Sequence, residues 1–329
     1  MKTTVVGSYP VPMWLRVTSN RESLRDAMLA IIKTQELAGI DVVADGELYR
    51  WDINHAETNG MIDYFVRPMS GISTDIPFNR LQAWRADVGM AFRAMPPARV
   101  TGAVGSGTLN LADDYALYRD LTDRPKKLTV TSPYMLAKTV IDDHYAAREE
   151  LVMALADVLL EQVKHIDADV IQVDEANVTG SPEDGALAAK SINRVLEGVA
   201  GEKAVHLCFG NYGGQTIQRG AYDQLLHFLN ALNADHLVLE NARRPEEELE
   251  IFKAVKDSIG MGIGVIDIKD NGIESPESVA KRIEHAANSL GQERIHYVHP
   301  DCGFWMLPRS VADGKMRALV AGRDLFLGH

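Results

Sequence analysis

Short runs of apolar, often β-branched residues alternate along the chain with longer segments whose apolar residues recur at helical spacing. The short runs predict eight strands, at Thr3–Ser8, Asp41–Glu47, Leu128–Ser132, Asp169–Asp174, Ala204–Cys208, His236–Glu240, Ile263–Ile268 and Ile295–His299. The longer segments predict helices at Glu22–Ala38 and near residues 145–166, 183–199, 221–232, 246–257, 276–290 and 310–326. Strands that alternate with helical crossovers are typical of a parallel (β/α)₈ TIM barrel, an α/β fold.

The connection between the second and third predicted strands is too long to be a simple crossover. Residues 50–97 are rich in aromatic residues, Met and Pro, and a further strand-like run, Arg99–Gly105, does not fit the count of eight. A long connection in a compact domain is usually functional or a lid. We therefore predict a single barrel domain over residues 1–329, with an insertion from about residue 50 to 105.

Composition narrows the classes of partner and compartment. The 329 residues are 46% hydrophobic and 24% charged, as in ordinary globular proteins, and the net charge of −12 argues against nucleic acid as the main partner. The N-terminus lacks the apolar core of a signal peptide, and no apolar run approaches the length of a membrane span. We expect a cytoplasmic protein that acts away from membranes.

The carboxyl ends of the predicted strands carry mostly acidic and metal-binding residues. In TIM barrels these ends form the active-site rim. A single carboxylate there could be a helix N-cap or part of a loop salt bridge, but the set predicts a functional site. Its members are Gly7, Ser8, Asp45, Glu47, Asp174, Glu175, His206, Cys208, Glu240, Asn241, Asp267, Lys269, Asp301 and Cys302.

His206 and Cys208 lie two positions apart at the end of a predicted strand. Side chains alternate along a strand, so both point to the same face. The chain has two cysteines, and the second, Cys302, also follows a predicted strand. A disulfide would need an oxidising compartment, which nothing here indicates, and zinc is a commoner reason for such ligands. Two buried core thiols remain an alternative.

Several of these motifs together resemble a known family. They occur in the order found in the catalytic C-terminal barrel of cobalamin-independent methionine synthases, and the resemblance, to a single-barrel homologue, covers nearly the whole chain. The motifs are Val6-Gly7-Ser8-Tyr9-Pro10, Asp45-Gly46-Glu47, Ile171-Gln172-Val173-Asp174-Glu175, His206-Leu207-Cys208, Leu239-Glu240 and Pro300-Asp301-Cys302-Gly303. The combination of His-x-Cys, a later Glu and Pro-Asp-Cys-Gly is more specific than any one of its parts.

The resemblance implies a zinc-dependent thiol methyltransferase that methylates homocysteine to methionine. It implies Zn²⁺ ligands at His206, Cys208, Glu240 and Cys302. Two thiolates and a carboxylate outweigh the metal's charge, which leaves a mild Lewis acid able to bind a substrate thiolate without quenching it. Glu240 is a hard oxygen ligand among softer ones, and it is therefore the one expected to yield to the incoming sulfur.

The same resemblance implies where the amino acid is held. It implies that Glu47 and Asp174 bind the amino group of homocysteine and that Gly7 and Ser8 meet its carboxylate. Two carboxylates are a suitable partner for an ammonium group because charge-assisted hydrogen bonds are stronger than neutral ones.

Two departures from the family pattern bear on the methyl donor. Lys269 stands where the family has a histidine proposed as a proton donor, and Thr139 stands where it has a tryptophan that stacks on folate. We therefore expect a donor other than polyglutamyl folate, such as a methyl-corrinoid protein or a small methylated compound. Lys269 and Asp267 are predicted as catalytic residues, with Lys269 orienting a substrate or protonating a leaving group. The alternative is a strand-end lysine in an ordinary salt bridge.

Two other functions are compatible with the sequence. One is zinc-dependent transfer of a thiol such as coenzyme M to an epoxide or another electrophile, as in related epoxyalkane:coenzyme M transferases. That reaction would require a cation for the sulfonate, and the candidates are Lys138, Arg243, Arg244 and Arg309. The other is a binding protein in which zinc is structural, in which case removal of the metal should unfold it.

Overall fold

The computed structural model describes residues 1–56, 58–86, 95–211, 216–218 and 220–329. Its strands are β1 (Lys2–Thr3), β2 (Val43–Ala44), β3 (Ser70–Ser73), β4 (Arg99–Gly105), β5 (Lys126–Thr131), β6 (Ile141–Asp142), β7 (Val170–Glu175), β8 (Glu202–Leu207), β9 (His236–Leu239), β10 (Gly260–Ile266) and β11 (Ile295–Pro300). Its α-helices are α1 (Arg21–Ala38), α2 (Asp63–Val66), α3 (Phe78–Arg85), α4 (Leu111–Arg119), α5 (Pro133–Thr139), α6 (Arg148–Val163), α7 (Gly185–Leu196), α8 (Leu226–Ala231), α9 (Pro276–Leu290) and α10 (Arg309–Leu327).

Eight of these strands form a parallel barrel. They pair in the order β1, β11, β10, β9, β8, β7, β5, β2. A parallel bridge between Thr4 and Val42 joins the two ends of this sheet, and the Thr4 hydroxyl donates to the Val42 carbonyl oxygen at 2.9 Å. The predicted α/β barrel and its eight strand positions are therefore confirmed.

The first two barrel strands are shorter than predicted. They cover Lys2–Thr3 and Val43–Ala44, and the isolated bridge between Thr4 and Val42 lies beside them. After β2 the backbone leaves the extended conformation, because Gly46 and Glu47 have φ angles of 75° and 57°. Gly46 and Glu47, which were predicted as the end of a strand, therefore form a turn at the mouth of the barrel.

The helices form the outer layer, and local sequence explains where several begin and end. Helix α1 starts with a capping box between Asn20 and Ser23 and ends at Gly39, whose φ of 89° favours glycine. The helix predicted near 246–257 is instead a 3₁₀ helix, Glu246–Ala254. It buries Leu249 and Phe252, which are three residues apart, the repeat of a 3₁₀ helix.

The long connection after β2 folds into a small separate sheet. Strand β4 pairs antiparallel with β3 and parallel with β6. Strand β6 comes from beyond the predicted insertion, in the connection that follows β5, so part of a second crossover contributes to this sheet. The single domain with an insertion at about 50–105 stays a prediction. Among the described residues, no helix is long and apolar enough to cross a membrane.

Candidate metal and substrate site

Three side chains at the mouth of the barrel form a compact set of metal ligands. His206 lies near the end of β8, Cys208 follows that strand and Cys302 follows β11. The ligand atoms of all three lie within 4.8 Å of one another, although β8 and β11 are separated by two other strands in the sheet. The barrel thus brings together the two predicted cysteines and the predicted histidine.

The hydrogen bonding of His206 leaves one ring nitrogen free. Its Nδ1 lies 2.8 Å from the carbonyl oxygen of Val238. A carbonyl oxygen only accepts, so Nδ1 carries a proton and Nε2 is the nitrogen that remains for a metal. Among the described residues Nε2 is buried and has no hydrogen-bond partner. A buried ring nitrogen without a partner, beside two thiols, has the position of a metal ligand whose orientation is fixed by its other nitrogen.

The two cysteines are free thiols rather than a disulfide. Cys208 is buried, and its pKa lies well below its ordinary value because the Cys302 thiol donates a hydrogen bond to it and the His206 ring faces it, against the effect of burial. Thiolates are the form of cysteine that binds metals. One histidine and two thiols match the ligand types of zinc sites, so the residues present fit Zn²⁺.

Glu240, the fourth predicted ligand, lies next to this cluster but has other partners. Its Oε1 is 2.7 Å from the Nζ of Lys269, and its Oε2 accepts from the Phe209 amide at 3.0 Å. The set of mutually close ligand atoms comprises His206, Cys208 and Cys302. Glu240 as a ligand therefore stays a prediction, and its carboxylate is shared with the Lys269 ammonium in this structure.

Lys269 and Asp267 occupy the turn that follows β10. The Asp267 carboxylate accepts from the Lys269 amide at 2.8 Å and also pairs with Arg243 at 3.1 Å. Lys269 reaches inward, and its Nζ bonds to the Thr216 hydroxyl at 2.9 Å as well as to Glu240. The lysine thus faces the candidate metal site, while Asp267 acts on the backbone that carries it.

The predicted ammonium site begins at Glu47, which follows β2. Its side chain pairs with Arg50 at 3.0 Å through Oε2 and accepts from the Thr129 hydroxyl at 2.7 Å through Oε1. Arg50 is buried and also donates to the carbonyl and hydroxyl oxygens of Thr129. Its guanidinium carbon lies 5.0 Å from the ring centre of Phe65. Glu47 is therefore held in place before any ligand binds.

Asp174, the second predicted carboxylate, is held by a chain of buried polar groups. The Gln172 side-chain amide donates to its Oδ1 at 2.7 Å, and Lys127 Nζ donates to the side-chain oxygen Oε1 of Gln172 at 2.9 Å. Burial raises the pKa of Asp174 to about 7, with a further contribution from the charge of Glu47 and an opposing one from His206. Asp174 is also the register partner of His206 on the neighbouring strand, so it lies beside the metal cluster.

Gly7 and Ser8 join the two parts of the mouth. A Cβ at Gly7 would collide with Oε1 of Glu47, so glycine is required for this close approach. The Ser8 carbonyl accepts from the Phe304 amide at 2.8 Å, and a Cβ at Gly303 would collide with the Ser8 hydroxyl. The loop that follows β1 therefore lies between the carboxylate pair and the loop that carries Cys302.

Four residues of the site were missed by the sequence analysis: Arg50, Thr129, Gln172 and Lys127. A signal for three of them existed, because polar residues recur at alternate positions inside otherwise buried strands. Lys127 and Thr129 share one face of β5, and Gln172 and Asp174 share one face of β7. Arg50 gave no such signal, since its burial depends on residues distant in sequence.

Thr139 and the four candidate sulfonate-binding cations already have partners within the described part of the chain. Thr139 is buried at the end of α5, and its hydroxyl donates to the Leu136 carbonyl at 2.9 Å. All four cations have partners among the described residues: Lys138 with Tyr134 and Ser181, Arg243 with Asp267, Arg244 with Glu248, and Arg309 with Asp313.

Comparison with known proteins identifies close structural and sequence relatives. Residues 1–322 match the sequence model of a family described as the catalytic domain of cobalamin-independent synthases. A methionine synthase of Thermococcus kodakarensis is 28% identical over 99% of this chain and 93% of its own, and one of Sulfolobus acidocaldarius is 29% identical over 98% and 91%.

The fold is also similar to that of a solved structure. The B12-independent methionine synthase of Shewanella sp. W3-18-1, in complex with selenomethionine, is 26% identical and superposes with a TM-score of 0.81. The match covers 99% of this chain and 98% of that one. A methyltransferase from Methanosarcina mazei, at 14% identity and a TM-score of 0.59, shares the fold.

Proposed function

Because the chain belongs to the family of cobalamin-independent synthase catalytic domains, we propose that it is a zinc-dependent methyltransferase that converts homocysteine to methionine. The observation that carries the zinc dependence is the buried, unpaired Nε2 of His206 beside the thiols of Cys208 and Cys302. These three residues hold the metal, and Glu240 is the fourth ligand. Bound zinc would lower the pKa of a substrate thiol while leaving the sulfur nucleophilic.

The carboxylates of Glu47 and Asp174 bind the ammonium group of homocysteine. Glu47 is held by Arg50 and Thr129, and Asp174 by Gln172, so both acceptors are oriented in advance. Preorganised groups lower the cost of binding because fewer side chains must be ordered. The related Shewanella synthase was solved with selenomethionine, an amino acid of the methionine type, which supports an amino-acid substrate here.

The backbone of the loop after β1 completes the amino-acid pocket. Gly7 lies against Glu47, and Ser8 lies against the loop of Cys302, so this loop spans the distance from the ammonium site to the metal site. The carboxylate of homocysteine binds to Gly7 and Ser8 in this arrangement. In the reaction the sulfur forms a bond to the methyl carbon, and the bond from that carbon to the donor breaks with its electron pair on the donor.

The donor is a compound other than polyglutamyl folate. Thr139, at the position of the family's stacking tryptophan, is buried and bonded within its own helix, so it offers no ring to a pterin. A corrinoid protein as donor gains no support, since the matched family is described as cobalamin-independent. A small methylated compound is therefore the donor class we favour. For Lys269, the pairing with Glu240 favours an orienting role over protonation of a leaving group.

Coenzyme M is a weaker candidate for the thiol. It lacks the ammonium group that Glu47 and Asp174 would bind, and it requires a free cation for its sulfonate. Each of the four cations proposed for that purpose already has a partner. The ammonium group of homocysteine would bind to the carboxylates of Glu47 and Asp174. Its binding would not require any of the four cations to leave its present partner.

The first test is the metal content of the purified protein and of Cys208→Ser and Cys302→Ser. We expect about one zinc per parent chain and loss of zinc in both variants, because each removes a thiolate ligand. His165→Gln, which changes an exposed histidine outside the cluster, is the control and should keep its zinc. Stoichiometric zinc in both cysteine variants would refute the assignment.

The second test is methionine formation from homocysteine with different donors. Methyltetrahydrofolate, methylcobalamin and a small methylated sulfonium or amine are supplied separately to the zinc protein. We expect methionine from the small compound and little or none from the folate. Efficient transfer from methyltetrahydrofolate would refute the donor assignment, and transfer to coenzyme M but not to homocysteine would refute the thiol.

A further inference from the structure

The ion pair between Lys269 and Glu240 is deeply buried at the mouth of the barrel. The side chains are 4% and 3% exposed, and the Nζ to Oε1 distance is 2.7 Å. The second oxygen of Glu240 accepts from the Phe209 amide, so each carboxylate oxygen already has one donor within the chain. A metal bound to Glu240 would therefore share the charge of this carboxylate with the Lys269 ammonium.

Hydrogen bonds fix the backbone around both members of this ion pair. Asp301 accepts from the amides of Asn241 and Ala242 at 2.8 and 2.7 Å, which fixes the backbone after Glu240. Lys269 is fixed by the bond from its amide to Asp267. Rotation of the Glu240 side chain is thus the smallest change that could move its carboxylate between Lys269 and the cluster of His206, Cys208 and Cys302.

We propose that Lys269 is a positioning residue that competes with the metal for Glu240 and receives its carboxylate when a substrate thiol takes the fourth ligand position. The inference rests on the proposed zinc thiol chemistry and adds to it a second, protein-supplied partner for the displaced ligand. The positive charge of Lys269 beside the carboxylate weakens the attraction between Glu240 and the metal, so the ion pair opposes that bond. The result is a site with three firm ligands and one that exchanges readily.

Charge also favours this exchange. A metal ion and an ammonium group on the same side of a buried site repel each other, and the carboxylate between them is the group that reduces this repulsion. When a thiolate binds the metal, it supplies negative charge there, and Glu240 becomes free to neutralise Lys269. An uncharged side chain at position 269 would give the displaced carboxylate no such partner, and Glu240 would remain on the metal.

The test compares zinc affinity and zinc coordination in the parent, Lys269→Met and Lys269→Arg. Affinity is measured by competition with a chelator, and the ligand set by X-ray absorption with and without homocysteine. In Lys269→Met we expect zinc to bind about tenfold tighter, because the ammonium group that competes for Glu240 and repels the metal is removed. We also expect the oxygen ligand to persist when homocysteine is added, and homocysteine to bind correspondingly more weakly.

In the parent, an oxygen ligand of zinc should be replaced by sulfur when homocysteine is added. Lys269→Arg, which keeps the charge, should show the same replacement. Lys269→Gln, which keeps a hydrogen-bond donor without the charge, is the second neutral variant in case the methionine variant does not fold. Lys138→Met is the matched control, since that lysine is also partly buried but bonds to the hydroxyls of Tyr134 and Ser181. It should leave zinc affinity unchanged.

Two results would overturn the inference, and they differ in meaning. If the parent binds zinc and exchanges a ligand for homocysteine, and both neutral variants do the same with parental affinities, Lys269 is a static salt-bridge partner and the proposed function stands. If the parent binds no zinc or keeps all its ligands when homocysteine is added, both the inference and the proposed thiol chemistry fail.

Discussion

The mouth of the barrel has two sides that are completed in different ways. The carboxylate side consists of Glu47 and Asp174 with the residues that hold them, Arg50, Thr129 and Gln172. The metal side consists of His206, Cys208 and Cys302. On the carboxylate side the chain itself supplies hydrogen-bond and ion-pair partners, whereas on the metal side the two thiols face each other and a buried histidine nitrogen has no partner among the described residues.

This difference indicates that folding alone arranges the carboxylate side, while the metal side depends on a ligand from outside the chain. A buried polar group without a partner costs free energy, and a bound cation removes that cost. Substitutions on the carboxylate side should therefore lower the free energy of unfolding even without metal. Substitutions on the metal side should mainly lower metal affinity.

The largest expected effect is on folding, in Arg50→Met. This change leaves Glu47 buried without its cation, and removing one partner of a buried ion pair costs roughly 3–5 kcal/mol. The measurement is chemical denaturation of the metal-free protein. The control is Arg16→Met, an exposed arginine, which should change the free energy of unfolding by no more than about 0.5 kcal/mol. If Arg50→Met were as stable as the parent, the carboxylate side would not contribute to the stability of the metal-free protein as proposed.

The next effect is on substrate binding, in Asp174→Asn. Loss of a charged partner for a buried ammonium should weaken homocysteine binding by roughly 1.5–3 kcal/mol. The dissociation constant for homocysteine is measured on the zinc-loaded variant, whose zinc content should match that of the parent. Asp123→Asn, an exposed change, serves as control. Parental affinity in Asp174→Asn would mean that the ammonium binds elsewhere.

A smaller effect is expected on the metal side, in Cys208→Ala. In the metal-free protein this change should lower the free energy of unfolding by only about 1 kcal/mol, the size of an average substitution. Zinc binding, by contrast, should be lost, because a thiolate ligand is gone. Denaturation of parent and variant in the presence of a chelator checks the first statement. A loss above about 3 kcal/mol would show that the metal side is also a structural element of the apo fold.

The smallest effect concerns pH and Asp45, which accepts from the Glu47 amide at 2.7 Å on the carboxylate side. Burial raises the pKa of Asp45 to about 7, against the opposing charge of Arg50. The folded protein therefore holds a proton that the unfolded chain, with a carboxyl pKa of 3.8, has already released. The free energy of unfolding should fall as pH rises between these values, and by less than about 1 kcal/mol between pH 6.5 and 7.5.

Asp45→Asn removes the titrating group, so this part of the pH dependence should be absent from the variant. Urea denaturation of parent and variant at pH 6.5 and 7.5 measures the difference. Equal slopes of stability against pH in the two proteins would show that Asp45 does not carry the proton.

Much of the site could be predicted because its residues follow strands whose positions the apolar pattern gives. His206, Cys208 and Cys302 were assigned to strand ends, and in a parallel barrel all such ends meet at one mouth. The shorter β2 could not be predicted, since the left-handed conformation of Glu47 is rare for a residue with a side chain. The helix at 246–254 was predicted in place but not in type, because α and 3₁₀ helices bury similar apolar spacings.

The sequence by itself therefore determined the barrel, its strand positions and the residue types at its mouth, since alternation and helical spacing are local properties. Only the tertiary structure decided which of those residues are already paired. Arg50 meets Thr129 across 79 positions of the chain, and Lys269 meets Glu240 across 29. Such contacts arise when neighbouring strands align their ends around the barrel, so they leave no pattern in the local sequence. The sequence therefore could not show that Glu240 forms an ion pair with Lys269, or that Nε2 of His206 has no hydrogen-bond partner among the described residues.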